Sequence, residues 1–270
     1  MVIGGIEMSK YEIKKPIGLT SLCNEVESVC KNACVYKCGI RPKHLIVPLS
    51  AGSGRTTFVE YITDMYKKHE ILDFSSSLDD YIEVAIDGSS SNNIVKGFAN
   101  IRAGAVFKNN YSNIAVVNIE DMAKYLNAPQ FTDFLREAKE LCCNAYTIFF
   151  VSSVPTPNEE KLIAKLEENI GKSKICRAFV EKYTSENICC LIEKTINEHS
   201  VTIECFQAFH SVLKDVVKSY NITEVKDAIT VGEELIHYAN FSGFTPTVDD
   251  KSIVMLADSW NKENKRSDSK

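Results

Sequence analysis

The sequence contains no apolar run of the roughly 18 residues that a membrane-spanning helix needs. Its first residues, MVIGGIEMSKYEIKK, also lack the charged-then-apolar order of a secretory signal peptide. Basic residues are not in excess either, because the formal net charge is −5. The composition therefore gives no global reason to bind DNA or anionic lipid, and we expect a cytoplasmic protein that does not enter a membrane.

Two common kinds of catalytic signature are missing as well. No GxSxG segment occurs, so the serine–histidine–acid hydrolases have no recognisable nucleophile turn here. The five histidines lie on different predicted elements and show neither catalytic nor metal-ligand spacing. They are His44, His69, His199, His210 and His237.

The cysteines do not form a zinc-knuckle pattern. Ten cysteines in a chain without a secretory signal favour reduced thiols over a disulfide framework. The four early ones are spaced along one face of a helix and include no CxxC pair: Cys23, Cys30, Cys34 and Cys38. Burial as small hydrophobic residues is the favoured interpretation, and an iron or zinc site stays open as the alternative.

Short apolar runs alternate with amphipathic helical patterns over the first two thirds of the chain. Five runs have strand character: 44–49 (HLIVPL), 81–86, 113–119, 146–151 and 178–183. Such alternation predicts an α/β fold, a parallel sheet of five strands sandwiched by helices. After residue 184 only helical patterns remain. We therefore predict an α/β domain over 1–183, an all-α domain over 184–262 and a polar tail over 263–270.

A glycine turn follows the first predicted strand and opens a helix. It reads Gly52-Ser53-Gly54-Arg55-Thr56-Thr57. In such a turn the backbone amides and the helix N-terminus point to one place, which suits an anion. The phosphate-loop pattern GxxxxGK[ST] is met at Gly54 and Thr56, but Leu49 stands at the first glycine position and Arg55 at the lysine position. Taken alone, this segment is almost as well explained as a tight turn that has only a structural role.

The order of the motifs along the chain resembles the AAA+ ATPases, the class of clamp loaders, Holliday-junction motors and replication initiators. The resemblance implies a phosphate-loop fold with a helical lid, and it covers nearly the full chain. Pro16-Ile17-Gly18-Leu19 is similar to the segment that lines the adenine pocket in that family. Val116-Val117-Asn118-Ile119-Glu120-Asp121 is similar to its second acidic motif, an apolar strand followed by Asp-Glu.

The resemblance implies roles for individual residues. ATP and Mg²⁺ are the implied cofactors, with Ile17 and Gly18 at the base, the amides of the loop at Gly52, Ser53, Gly54, Arg55, Thr56 and Thr57 on the phosphates, and the Arg55 side chain on the outer phosphates. Thr56 and Glu120 would hold the metal, and Asp121 would activate water. Ser152 falls at the γ-phosphate sensor, Arg177 at the arginine finger, and Lys226 at the second sensor on the lid.

The departures from the family pattern predict slow hydrolysis. Arg55 brings a planar fork where a lysine brings a compact charge, so the contact with phosphate has a different geometry. In the second motif the order is Glu120-Asp121 and not Asp-Glu, which changes the length of both carboxylates. In-line attack is sensitive to such displacements. Reading Asn118 as the metal ligand is rejected, because Ile119 would then be the water-activating residue.

The resemblance also implies partners. The loop GSSSNN (88–93) has no aromatic residue of the kind with which ring unfoldases grip polypeptide. We therefore expect an ATP- and ADP-binding protein that assembles with itself or relatives and remodels or loads a partner, either nucleic acid or protein. Two alternatives stay open. One is a degenerate nucleotide-binding subunit without turnover, and the other is a scaffold that binds no nucleotide.

Overall fold

The computed structural model describes residues 13–36, 42–71, 81–104, 114–241 and 245–267. It divides into two compact units between Val180 and Glu181. We expected the division after residue 183. Each unit has its own hydrophobic core.

The first unit alternates strands and helices in chain order. They are α1 (Thr20–Tyr36), β1 (His44–Pro48), α2 (Arg55–Lys68), β2 (Tyr81–Ala85), α3 (Ser91–Gly104), β3 (Ile114–Asn118), a 3₁₀ helix (Glu120–Tyr125), α4 (Gln130–Asn144), β4 (Tyr146–Val151), α5 (Pro157–Ile170) and β5 (Ile175–Arg177). The five strands are parallel and lie in the order β2-β3-β4-β1-β5. This arrangement, with its flanking helices, confirms the predicted fold class.

The continuous apolar strands are explained by the position of the sheet inside the unit. Every residue of β1 and of β4 is buried, because helices cover both faces of a parallel sheet. The apolar side chains of α4 also face the core, where Phe134 and Ala138 are fully buried. The buried strands β1 and β4 support the segments that follow their carboxyl ends.

The fifth strand lies earlier than the sequence predicts. It spans Ile175–Arg177, and its partner residues on β1 are His44, Leu45 and Ile46. The apolar run 178–183 is not a strand, and its Phe179 is 65% exposed. The error arose because an edge strand needs few apolar residues, so a three-residue strand beginning at Ile175 gave no recognisable run.

The second unit is mostly helical. It contains α6 (Ser185–Glu198), β6 (Thr202–Ile203), α7 (Phe206–Ser219), α8 (Val225–His237), β7 (Thr247–Val248) and α9 (Asp250–Ser267). The prediction of an all-α domain was wrong in one respect, because β6 and β7 pair as a two-stranded parallel sheet. Two-residue strands are too short to produce a periodic signal. The core contains Ile192, Leu213, Leu235 and Ile253, one from each helix.

The last helix, α9, is capped at its start, since the Ser252 amide donates to the Asp249 carboxylate at 3.0 Å. The helix continues to Ser267, through most of the expected polar tail. Lys, Glu and Arg are good helix formers, which accounts for the extension.

The early cysteines do not assemble into a described metal site. Cys23 and Cys30 are buried on α1, whereas Cys38 and the side chain of Cys34 lie outside the described residues. Among the described residues no group of three possible metal ligands occurs. In that same part of the chain no helix is both long and apolar enough to cross a bilayer.

Candidate functional site

The glycine turn follows the central strand β1 and leads directly into α2. Gly52 and Gly54 have φ angles of 80° and 84°, in the left-handed region that favours glycine. The first bond of the helix runs from the Phe58 amide to the Gly54 carbonyl at 2.9 Å, and no side chain caps this start. The amides of Arg55, Thr56 and Thr57 precede that first helical bond, so they are left for another acceptor.

The amide of Ser53 is not available in the same way. It donates to the Ser50 carbonyl at 3.2 Å, and the hydroxyls of Ser50 and Ser53 lie 2.6 Å apart. The expected contact of this amide with phosphate would require that bond to open, and it stays a prediction. The donors that α2 leaves open begin at Arg55, at the positive end of the helix dipole.

The side chain of Arg55 does not extend into the loop. It is 7% exposed, and its guanidinium donates to the carbonyls of Leu49 and Val151 and to the Glu120 carboxylate. Its Cζ atom lies 4.9 Å from the centre of the Phe150 ring. In this structure Arg55 is held by protein groups, and its expected contact with the outer phosphates stays a prediction. A planar fork with several donors can bind the ends of β1 and β4 and a carboxylate at once, which a lysine cannot.

Glu120 lies directly after β3 and is engaged on both of its oxygens. One accepts from Arg55, and the other lies 3.4 Å from the side-chain amide of Asn118. The Asn118 side-chain oxygen in turn accepts from the Glu120 backbone amide at 3.0 Å. The carboxylate expected to hold the metal is therefore held by protein groups.

Asp121 is also engaged on both oxygens. It accepts from the Gly88 amide at 3.0 Å and from Lys124 at 2.8 Å. These contacts connect the start of the 3₁₀ helix to the loop after β2. The structure therefore gives the expected water-activating carboxylate a role in joining two loops.

Ser152 follows β4 and contributes to the start of α5. Its hydroxyl donates to the Glu159 carboxylate at 2.7 Å, with the Val154 carbonyl as a second acceptor at 3.1 Å. Burial alone would raise the pKa of Glu159, but hydrogen bonds from Thr156 and Ser152 together hold that pKa below its usual value. A charged Glu159 thus holds the expected γ-phosphate sensor.

Arg177 lies at the carboxyl end of β5, level with Ile46 in the middle of β1. The predicted fifth strand, 178–183, began directly after Arg177, whereas the structure makes Arg177 the last residue of the fifth strand. Its expected role as an arginine finger stays a prediction. Its guanidinium pairs with Glu160, in the first turn of α5, at 2.7 Å. Both side chains are partly exposed, so the pair can be opened without burying a charge.

The two remaining expected contacts lie on separate elements. Ile17 and Gly18 form a turn just before α1, with Gly18 at a φ of 76° and both residues partly exposed. Lys226 is exposed in the first turn of α8, in the second unit. Their proposed contacts with the base and with phosphate stay predictions.

The carboxyl edge of the sheet brings together three of the predicted segments. Leu49, Glu120 and Ser152 follow β1, β3 and β4, which are neighbours in the order β3-β4-β1. The Leu49 amide donates to the Val151 carbonyl, and the Ile119 amide to the Phe150 carbonyl, both at 3.1 Å. Ligands of open parallel sheets bind at this edge.

Sequence reasoning missed three residues that shape this edge. Phe150 lies under the guanidinium of Arg55, Asn118 positions Glu120, and Glu159 caps α5. Only Glu159 had a local signal, because Thr156 and Glu159 form the T-x-x-E pattern of a capping box. The other two depend on contacts between strands.

No profile of a known protein family matches the chain. No curated protein matches it in sequence. Solved structures do match in fold. A mutant of Thermotoga maritima RuvB superposes with a TM-score of 0.59 at 10% identity, covering 93% of this chain and 73% of that one.

Two further structures agree. Domain III of the Thermotoga maritima replication initiation protein DnaA gives a TM-score of 0.54 at 14% identity, covering 92% of this chain and 93% of that one. C. elegans PCH-2 gives 0.51 at 10% identity, covering 88% and 66%. The chain has an AAA+ ATPase fold. At these identities the similarity establishes the AAA+ fold and no activity.

The residues at this edge of the AAA+ fold do not form a complete site for Mg²⁺. Thr56 is exposed at the start of α2, where its hydroxyl could be a ligand. Divalent magnesium is usually bound through carboxylates as well, and both nearby carboxylates are held by other groups. Of the expected metal ligands, Thr56 is exposed and Glu120 is paired with Arg55, and the metal-binding role of both stays a prediction.

Proposed function

We propose that this chain binds ATP and ADP at Gly52–Thr57 and acts as a nucleotide-dependent switch with little or no hydrolysis. In this proposal the nucleotide state controls assembly with copies of the chain or with relatives. The assembly remodels or loads a partner, either nucleic acid or protein. The observation that carries the proposal is the uncapped start of α2, directly after two left-handed glycines at the carboxyl end of β1.

Electrostatics supports an anionic ligand at this position. Three consecutive amides, of Arg55, Thr56 and Thr57, precede the first bond of the helix. The N-terminus of a helix carries a partial positive charge, and phosphate is the anion that a glycine turn of this kind suits best. Thr56 and Thr57 are both exposed, so a phosphate group can reach this turn.

Ile17 and Gly18 supply the proposed contact with the base. They lie in an accessible turn before α1, flanked by the buried residues Pro16 and Leu19, which anchor it. A contact with the base would distinguish a nucleotide from a simple phosphate ion.

The engagement of the two acidic residues favours a switch over a motor. Hydrolysis needs a positioned water and a stabilised leaving group. Glu120 is held by Arg55 and Asn118, and Asp121 by Gly88 and Lys124. The slow ATPase expected from the sequence thus remains the second candidate, and it would require these contacts to open.

A charge placed in the loop tests the proposal. Glutamate is favoured in the first turn of a helix, so Thr56→Glu should preserve folding while repelling phosphate. We expect Thr56→Glu to weaken ATP binding by roughly tenfold or more, because each 1.4 kcal/mol of lost interaction is a tenfold change. Calorimetric titration of ATP measures this, and a thermal melt verifies the fold.

The matched control is Thr56→Gln, which has the same size and no charge. It should bind ATP within about threefold of the wild type, since the backbone amides carry the interaction. Equal ATP affinity for the wild type and Thr56→Glu would contradict the proposal.

A further inference from the structure

We propose that the guanidinium of Arg55 is the resident cation of this site, so that nucleotide binding does not require Mg²⁺. The inference rests on the proposed nucleotide binding and concerns how that binding is regulated by metal. It depends on where Arg55 and Glu120 are held. Neither residue is free to take the role that its position in the sequence suggests.

Arg55 is fixed from several sides. Its guanidinium donates to the backbone carbonyls of Leu49 and Val151 and lies over the ring of Phe150. Both carbonyls are buried at the ends of central strands, and buried carbonyls require a donor. If Arg55 turned toward a phosphate, the Leu49 carbonyl would lose this donor, and the Val151 carbonyl would keep only the Leu49 amide. The side chain therefore stays where it is.

Glu120 is fixed by charge balance. Arg55 is almost fully buried, and a buried charge is strongly destabilising unless a partner of opposite sign remains beside it. Glu120 is that partner and is 34% exposed, so it reaches both the guanidinium and the solvent. A divalent ion on Glu120 would have to compete with a cation that cannot leave.

Asp121 does not replace Glu120 as a metal ligand. Its two oxygens accept from the Gly88 amide and from Lys124. Lys124 is exposed, so a metal ion at this carboxylate would have to displace an exposed lysine and the backbone hydrogen bond from Gly88. The remaining ligand, the Thr56 hydroxyl, is neutral, so a Mg²⁺ ion bound to the nucleotide phosphates would gain no carboxylate ligand from the protein.

The test compares ATP affinity in magnesium and in EDTA. We expect the wild-type protein to bind ATP with affinities within about threefold of each other in the two buffers, a difference below 1 kcal/mol. Tight binding in magnesium alone would overturn the inference and leave the proposed function intact. Absence of binding in both buffers would overturn the inference together with the proposed function.

Glu120→Gln gives a second test, because the two accounts predict opposite signs. The amide oxygen of Gln still accepts from Arg55, and one negative charge near the loop is removed; because Arg55 loses its charged partner, a thermal melt verifies that the variant is folded. We therefore expect ATP to bind about fivefold more tightly in both buffers. If Glu120 held the metal, the same variant would weaken ATP binding in magnesium only, and that result would overturn the inference.

The matched control is Glu160→Gln. It removes one negative charge from another glutamate that is paired with an arginine, Arg177, in the same unit. We expect its ATP affinity to match the wild type in both buffers. A comparable tightening in Glu160→Gln would show that net charge alone explains the effect, which would overturn the assignment to Arg55 and Glu120.

Discussion

Arg55 and Glu120 form an ion pair across the carboxyl edge of the sheet, although they are 65 residues apart in sequence. The first follows the central strand β1 and the second follows β3. The strand between them, β4, contributes its last carbonyl to the same guanidinium. The pair thus joins the ends of three strands. The resemblance assigned Arg55 to phosphate and Glu120 to the metal, but in the structure the two residues bind each other.

Restoring the usual residue types should increase hydrolysis. In Arg55→Lys/Glu120→Asp/Asp121→Glu, the lysine cannot contact all three acceptors that the Arg55 guanidinium contacts now. The aspartate at position 120 is shorter than glutamate and cannot reach the lysine. We expect the released residues to bind metal and water, and phosphate release to rise roughly tenfold or more above the wild type. A steady-state phosphate assay with magnesium measures this.

The control for that variant is Arg55→Lys alone, which should not reach the same rate because Glu120 and Asp121 keep their present lengths. Unchanged phosphate release in the triple variant, with ATP binding intact, would show that the limitation lies outside these three residues.

The sequence was sufficient for the parts of the fold that have a long periodic signal. The apolar runs 44–49 and 146–151 predicted buried strands, and both are present. The three-residue strand Ile175–Arg177 and the two-residue strands β6 and β7 were missed. Short strands are determined by pairing with distant residues, and a local pattern does not contain that information.

In the candidate site, too, the features with a local sequence pattern were predicted and those that depend on distant residues were not. The glycine turn before α2 was predicted, because left-handed glycines and a helix start have a local signature. The inward direction of Arg55 was not, since it depends on the Val151 carbonyl and the Phe150 ring, about a hundred residues later in the chain. The sequence identified Arg55 as a cation at this position but did not identify Glu120 as the carboxylate that pairs with it.

His210 predicts a pH dependence of stability in the second unit. Its ring lies between Glu193, at 2.5 Å, and Glu186, at 3.0 Å. The hydrogen bond to Glu193 raises the pKa of His210, against a smaller opposing effect of burial. A raised pKa in the folded state means that the charged pair stabilises fully below the unfolded-state pKa of about 6.5.

That contribution should be lost as the pH rises from about 6.5 through the raised pKa, with a magnitude on the order of 0.5–1 kcal/mol for a partly exposed pair. Urea unfolding at several pH values measures it. His210→Gln should remove this part of the pH dependence, whereas His199→Gln, whose ring contacts the Thr195 carbonyl, should retain it. An unchanged slope in His210→Gln would refute the assignment.

The arginine-finger role that the resemblance implies for Arg177 predicts that subunits assemble when ATP binds. We propose that subunits associate head to tail and that Arg177 of one completes the nucleotide site of the next, as arginines supplied in trans do. Light scattering at micromolar concentration should show a higher mass with ATP for the wild type and a lower one for Arg177→Ala.

Glu160→Ala separates the arginine from its ion pair. Both variants lose the contact between Arg177 and Glu160, but only one loses the arginine. We expect Glu160→Ala to assemble like the wild type. A wild-type protein that stays monomeric in saturating ATP would eliminate the proposed role of Arg177.

The most direct measurement of the central claim is amide hydrogen exchange over residues 50–58 with and without ATP. The amides of Arg55, Thr56 and Thr57 precede the first bond of α2 and should exchange rapidly in the free protein. We predict that ATP slows exchange of these three amides in the wild type and not in Thr56→Glu. Unchanged exchange in this segment at saturating ATP would contradict the account.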